Sequence, residues 1–147
     1  MYPPELTEPI RKDLVSAGVP ELRTARDVEN FLSQKKGTSL LIINSICGCA
    51  AGAARPAVKE ALQKGPKPDR VATVFAGVDT EATAKARAAF PDVPPSSPSM
   101  YLFKDGELVF VLPRHMIEAR TPKEIAADLT GSFGKYCGSA KPIKAKK

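Results

Sequence analysis

Cysteine is scarce in this chain, and long apolar runs are missing from it. The 147 residues include three cysteines, an odd and sparse set that excludes the disulfide framework of a small secreted protein. No apolar run approaches the roughly 18 residues that a membrane-spanning helix needs. Residues 1–5 lack the basic and apolar regions of a signal peptide. We therefore expect a cytoplasmic protein that has no membrane partner.

Basic charge is also scarce outside the C-terminus. The formal net charge is +6, but four lysines within residues 141–147 contribute to it, which leaves only +2 for the rest. That is too little to indicate a nucleic-acid-binding surface. Residues 141–147 are predicted to form a disordered, lysine-rich tail. Residues 1–140 are predicted to form a single domain, because the chain has one domain's length and no internal repeat.

The most informative motif is Cys47-Gly48-Cys49. It follows the apolar run 40–46, which predicts a buried strand, and precedes an alanine- and glycine-rich segment that predicts a helix. A cysteine at such a junction faces the free N–H groups and the positive dipole end of the helix, which favour thiolate over thiol. Two thiols this close can also form a disulfide with each other. The motif therefore indicates thiol–disulfide chemistry, with Cys47 as the nucleophile and Cys49 as the resolving thiol.

Periodicity and turn signals predict the remaining elements. Two helices come first: 5–17, limited to its later part by Pro9, and 24–35, capped by Thr24 and Asp27. Next come strand 38–46, helix 49–64 (bent at Pro56), strand 70–76 and helix 79–90 (capped by Asp79). They are followed by strands 99–104 and 107–112, joined by Asp105-Gly106, and by a last helix that begins at the capping box of Thr121.

This order of elements predicts an α/β fold. The first two strands need a right-handed parallel crossover, and the hairpin adds an antiparallel pair. With redox cysteines at the end of the first strand, the pattern is that of a thioredoxin-like three-layer sandwich. It has a central mixed four-stranded sheet and extra N-terminal helices. We expect the last helix on the side of the sheet opposite to the motif.

Residues 44–56, which contain the motif, resemble the active-site segment of the bacilliredoxins, thioredoxin-like proteins with a CGC motif. The similarity continues through residues 71–77, 81–85, 95–100 and 113–115, and spans about residues 5–137. The resemblance implies reduction of mixed disulfides between client proteins and bacillithiol, a low-molecular-weight thiol. It implies no cofactor other than this thiol as substrate or partner. Protein disulfide isomerisation is the alternative, because a CxC disulfide closes a small, strained and oxidising ring.

Four further residues are predicted to bind substrate. Gly48 makes the small disulfide ring sterically possible. The resemblance to thioredoxin-like folds implies a cis peptide bond at Pro98, and a backbone contact from Ser97 to an incoming peptide. Arg55 is placed to attract the carboxylates of bacillithiol, or else is a solvated helix charge.

The roles of Cys137 and His115 stay open at this point. Cys137 is either a second resolving thiol or an inert partner of the core, and His115 serves proton transfer or lies on the surface. A rival hypothesis is a soft-metal site made of Cys47, Cys49 and one of these two residues. Against it, a structural zinc site normally uses two close pairs of ligands.

Overall fold

The computed structural model describes residues 2–63 and 65–137, so the predicted tail 141–147 lies outside the described residues. Its helices are α1 (Pro4–Val15), α2 (Ala25–Ser33), α3 (Arg55–Ala61), α4 (Thr80–Arg87) and α5 (Pro122–Tyr136). Its strands are β1 (Thr38–Asn44), β2 (Arg70–Phe75), β3 (Ser99–Lys104) and β4 (Glu107–Leu112). A π-helical turn, Ala50–Ala54, precedes α3, and a 3₁₀ turn, Arg114–Met116, follows β4. Within this part of the chain no helix is long and apolar enough to cross a membrane.

The four strands form one mixed sheet in the order β2-β1-β3-β4. β1 pairs in parallel with β2 and antiparallel with β3, so that Leu41 lies beside Ala72 on one side and Tyr101 on the other. Every residue of β1 is buried, as a central strand covered on both faces requires. The hairpin of β3 and β4 turns at Asp105 and Gly106, whose φ angles of 51° and 86° are typical of a type I′ turn. The predicted mixed sheet is confirmed.

Helices cover both faces of the sheet and give it two apolar cores. Alternate residues of β1 point to opposite faces: Leu40 and Ile42 belong to one core and Leu41 and Ile43 to the other. The first core is completed by α3 and α5, and the second by α2 and α4. The three-layer sandwich is therefore confirmed.

The position of α5 differs from our expectation. It packs on the same face of the sheet as α3 rather than on the opposite one. The contacting side of α3 consists of small residues, Ala57 and Ala61 among them, which allow the larger Leu129 and Phe133 of α5 to approach closely. The size of these side chains decides the packing.

The first helix is longer than predicted and is held by a buried arginine. α1 begins at Pro4 and continues through Pro9, because a proline this near the start removes only one bond, to a carbonyl in the exposed first turn. Arg11, 4% exposed, donates hydrogen bonds to Glu21 (2.8 Å) and to both carboxylate oxygens of Asp79 (2.8 and 2.9 Å). This cluster joins α1 to the start of α4.

Local capping signals were correct at two helices and wrong at a third. The capping box of Thr24 and Asp27 is present at α2, and that of Thr121 and Glu124 at α5. Asp79 precedes α4 but makes no side-chain capping bond, because its carboxylate is bound to Arg11. A bidentate, charge-assisted pair is stronger than one capping hydrogen bond.

We predict that Thr121→Ala lowers the free energy of unfolding by about 1 kcal/mol, the usual cost of a lost N-cap. The Thr121 hydroxyl accepts the N–H of Glu124 at 3.2 Å, and this bond would be lost. Thr130→Ala on the same helix is the control, because that exposed hydroxyl only bonds back to the carbonyl of Ala127. Urea unfolding measures both variants, and equal stability of the two would contradict the capping role.

Candidate active site

The two cysteines of the motif lie at the predicted junction between a strand and a helix. β1 ends at Asn44, two residues before the predicted end, because the side-chain oxygen of Asn44 accepts the N–H of Ser45 at 2.8 Å and turns the chain. Cys49 already has helical backbone angles (φ −70°, ψ −24°). The N–H groups of Ala50 and Ala51 bond to the carbonyl of Cys47 at 3.1 and 3.3 Å.

The helix after the motif is less regular than predicted. The helix predicted over 49–64 is present as a continuous helical segment over 48–61, but Ala50–Ala54 form a π-helical turn within it, before α3, which ends at Ala61. Pro56 has no N–H to offer the carbonyl of Gly52, and its ring would clash there in a regular helix. A wider π-helical turn before the proline relieves this conflict.

The sulfur atoms of Cys47 and Cys49 are 2.9 Å apart, with both thiols free. Both side chains are half-buried, and Gly48 between them is exposed. An added Cβ at Gly48 would meet no atom within 4 Å, so packing in this dithiol form does not require glycine. Its predicted role in the smaller disulfide ring stays a prediction.

The surroundings of the two thiols shift their pKa values in opposite directions. Burial acts to raise the pKa of Cys47, but hydrogen bonds from Cys49, Ser45 and the backbone N–H groups of Ala50 and Cys49 lower it to about 7. The pKa of Cys49 is raised, first by burial and then by the hydrogen bond and the charge of Cys47. When the pair holds one proton, that proton therefore resides on Cys49. Cys47 is the first of the two thiols to ionise as pH rises, and hence the better nucleophile near neutral pH.

Ser45 is a functional residue that the sequence interpretation missed. Its Oγ accepts the N–H of Cys47 at 3.2 Å, and its side chain is one of the hydrogen-bond partners that lower the pKa of that thiol. Ser45 is buried, which protects this bond from water. The available signal was a serine two residues before the first cysteine. At this spacing a serine side chain often bonds to a nearby backbone N–H.

Arg55 does not have the substrate-binding position that we expected. It is 6% exposed and points inward: Nε donates to Asp13 at 2.9 Å, and Nη1 donates to the side chain of Asn44 and the carbonyl of Ser45, both at 3.0 Å. A guanidinium that is buried among these partners is not available to substrate carboxylates. Arg55 instead fixes the turn that carries Cys47.

The loop before β3 lies at the same end of the sheet as the two cysteines. The register of β1 and β3 pairs Ile43 with Ser99, and the Ser97–Pro98 peptide bond just before it is cis, as expected. The carbonyl of Ser97 accepts a hydrogen bond from Nη1 of Arg114 at 3.2 Å. The placement of Ser97 and Pro98 beside the motif is compatible with their predicted role.

Arg114 is a second functional residue to which the sequence gave no role. Its side chain is 45% exposed, and its charge interacts with both Cys47 and Cys49. His115 lies exposed in the same 3₁₀ turn. Residues 113–115 are one of the segments that resemble the bacilliredoxins, so the sequence indicated that the segment matters. It did not indicate the electrostatic interaction of Arg114 with the thiols.

Cys137 lies too far away to act with Cys47. Its thiol interacts with Thr38 at the opposite end of β1, which is about 20 Å from Asn44 at the usual strand rise. Burial raises the pKa of Cys137, so it is a poor nucleophile at neutral pH. In residues 2–63 and 65–137 no three His, Cys, Asp or Glu side chains come together as metal ligands.

Comparison with known proteins gives a consistent result. The family model described as "Disulphide isomerase" matches residues 2–137. A bacilliredoxin from Geobacillus kaustophilus is 49% identical over 138 residues, covering 93% of this chain and 95% of that protein. A bacilliredoxin from Salinibacter ruber is 49% identical over 143 residues, covering 96% and 83%.

Solved structures support the fold. Thioredoxin from Fasciola hepatica superposes with a TM-score of 0.57 at 20% identity, over 80% of this chain and 99% of that one. A thioredoxin from Arabidopsis thaliana gives a TM-score of 0.55 at 15% identity, over 80% and 96% of the two chains. The predicted thioredoxin-like architecture is confirmed.

We predict that Cys49→Ala raises the pKa of Cys47 above 7, because the thiolate loses the hydrogen bond from Cys49. The increase in absorbance at 240 nm that marks thiolate formation should then move to higher pH. At a fixed pH below the midpoint, the thiolate fraction of Cys47 should fall tenfold for each unit of pKa, and alkylation should slow by less than that, because a thiolate of higher pKa is intrinsically more nucleophilic. Cys137→Ala is the control and should leave the Cys47 midpoint in place. An unchanged midpoint in Cys49→Ala would contradict this assignment.

We predict that Arg55→Met destabilises the protein by about 3 kcal/mol, because it breaks a buried ion pair with Asp13 and removes the donor to the carbonyl of Ser45 and one of the two donors to the side-chain oxygen of Asn44. Lys59→Met is a matched control, since Lys59 also bonds to Asp13 but is 36% exposed; it should cost no more than about 1 kcal/mol. Urea unfolding of both variants checks this. Similar losses for the two would show that Arg55 contributes only through Asp13.

Proposed function

The chain belongs to the bacilliredoxin family, and we propose that it reduces mixed disulfides between protein cysteines and bacillithiol. Its broader activity is that of a thiol–disulfide oxidoreductase acting on disulfide-containing proteins. One observation supports the narrower proposal best: the sulfur of Cys47, whose pKa is lowered to about 7, lies 2.9 Å from the sulfur of Cys49, whose pKa is raised. In such a pair Cys47 can form a mixed disulfide with a small thiol, and Cys49 can then displace that thiol.

The first step is attack by the Cys47 thiolate on the bacillithiol sulfur of the mixed disulfide. A sulfur–sulfur bond forms between Cys47 and bacillithiol as the bond to the client protein breaks. The client sulfur leaves with the electron pair and takes a proton from solvent. Because a thiolate is the attacking species, the lowered pKa of Cys47 makes this step feasible at neutral pH.

The second step needs Cys49 as a thiolate, and the first step favours its formation. In the free enzyme the hydrogen bond and the charge of Cys47 raise the pKa of Cys49, whereas the charge of Arg114 lowers it. Once Cys47 is in a mixed disulfide its charge is gone, so the pKa of Cys49 falls. Cys49 then attacks the sulfur of Cys47, a Cys47–Cys49 disulfide forms, and bacillithiol leaves. A separate thiol reductant must restore the dithiol.

Ser97 and Pro98 are proposed to position the client protein. By resemblance to thioredoxin-like folds, the backbone before the proline pairs with an extended peptide beside the disulfide. The carbonyl of Ser97 already accepts a bond from Arg114, so we expect its N–H to make the contact. No cofactor other than the thiol partner is required, and we propose that the protein works in the cytoplasm.

Disulfide isomerisation is the second candidate, because the matching family model has that name. Isomerisation begins with the same thiolate, but Cys47 attacks a disulfide between two protein cysteines. The adduct is then resolved by another cysteine of the client instead of Cys49. An isomerase would therefore keep its activity when Cys49 is removed. An enzyme that removes bacillithiol from client proteins would instead stop at the mixed disulfide between Cys47 and bacillithiol.

We predict that Cys49→Ala accumulates a bacillithiol adduct on Cys47 when mixed with a bacillithiolated protein. Wild type should form the Cys47–Cys49 disulfide, and Cys47→Ala should not react. Intact-mass and peptide-mass spectrometry over time distinguish these products, and Cys137→Ala should behave as wild type. Failure of wild type to remove the adduct, with Cys49→Ala still able to rearrange scrambled disulfides, would reject the proposal in favour of isomerisation.

A further inference from the structure

We propose that Arg114 is the specificity-determining residue of this site and binds the carboxylates of the small thiol during exchange. This inference rests on the proposed function, because it concerns the thiol that becomes attached to Cys47. It replaces Arg55, which is buried in the junction, as the cation that recognises the thiol. The class of ligand is a low-molecular-weight thiol that carries carboxylate groups.

The fold places Arg114 at the end of the sheet where the cysteines lie. β3 and β4 pair Met100 with Leu112, so the 3₁₀ turn that follows β4 lies beside the residues that precede β3. The N–H of Arg114 donates to Oγ of Ser96 at 3.2 Å, and Nη1 donates to the carbonyl of Ser97 at 3.2 Å. The guanidinium is thereby held over the loop that borders the two thiols.

The guanidinium acts electrostatically on the reacting atoms and is accessible. Its charge interacts with Cys47 and Cys49, whereas its side chain stays 45% exposed. Among the residues that the structure describes, its ion pair is with Glu118, at 3.3 Å from Nε, and Glu118 is itself 51% exposed. An exposed pair of this kind contributes little, so a substrate carboxylate can displace it at low cost.

The geometry of the group suits a carboxylate. A guanidinium presents N–H donors in a planar fork that matches two carboxylate oxygens. The bonds to Ser97 and Glu118 use Nη1 and Nε. Among the described residues no hydrogen bond uses Nη2, which leaves its N–H groups for a ligand. The same charge would stabilise the bacillithiol thiolate as Cys49 displaces it.

The experiment compares two mixed disulfides of the same reporter protein, one with bacillithiol and one with uncharged 2-mercaptoethanol. Because the protein part is identical, its own charges cancel in the ratio of the two rates. Arg114→Gln should lower kcat/KM for the bacillithiol adduct about tenfold, mainly through KM, as expected for the loss of one charge-assisted contact. The 2-mercaptoethanol adduct should lose clearly less, because it lacks the carboxylate contact and is affected only through the action of the Arg114 charge on the two thiols.

Three further measurements make the test specific. Arg114→Lys should recover part of the preference, because a positive charge is kept without the fork. Arg26 is an exposed residue of α2. Arg26→Gln makes the same change in net charge and should leave both rates as in wild type. Higher salt should reduce the preference of wild type for the bacillithiol adduct.

The outcomes separate this inference from the proposed function. A preference of wild type for bacillithiol that Arg114→Gln abolishes supports the inference. An unchanged preference in Arg114→Gln, or an equal loss for both adducts, would overturn it while leaving bacillithiol as the substrate. Wild type that shows no activity on the bacillithiol adduct would reject the proposed function, and the inference with it.

Discussion

The site depends on one buried guanidinium, that of Arg55. It connects three elements: Asp13 on α1, Asn44 at the end of β1, and the carbonyl of Ser45 in the turn that follows. Buried polar groups must be paired to be tolerated, so these contacts define a single conformation of the turn. That conformation brings the Ser45 hydroxyl to Cys47 and starts the helix whose N–H groups face the thiol. The reactivity of the site thus follows from a structural ion pair.

The chemistry then depends on the difference between two thiols that share one proton. Cys47 has its pKa lowered to about 7, and Cys49 has its pKa raised, first by burial and then by the hydrogen bond and the charge of Cys47. This coupling orders the steps, because the resolving thiol becomes a thiolate more readily only after the nucleophile has lost its charge. Arg114 interacts with both sulfurs and favours the anionic form in each step.

Much of this fold was predictable because local and tertiary signals agree. The all-buried β1, the Asp105-Gly106 turn and the capping boxes at Thr24 and Thr121 depend on near neighbours in sequence. The failures came where a distant partner decides. The Asp79 side chain bonds to Arg11, 68 residues away in sequence, and therefore does not cap α4. Arg55 turns inward and bonds to Asp13, which is 42 residues away. For the same reason the sequence located the thiols but not the hydrogen bonds and charges that distinguish them.

The most direct test of this account is an NMR titration of wild-type reduced protein labelled with ¹³C at the cysteine Cβ atoms. The account predicts a midpoint near pH 7 for Cys47 and a higher one for Cys49, each resonance also responding to the other group's titration. If Cys49 titrated below Cys47, or if both had the midpoint of an ordinary cysteine, near 8.5, the assignment of nucleophile and resolving thiol would be contradicted.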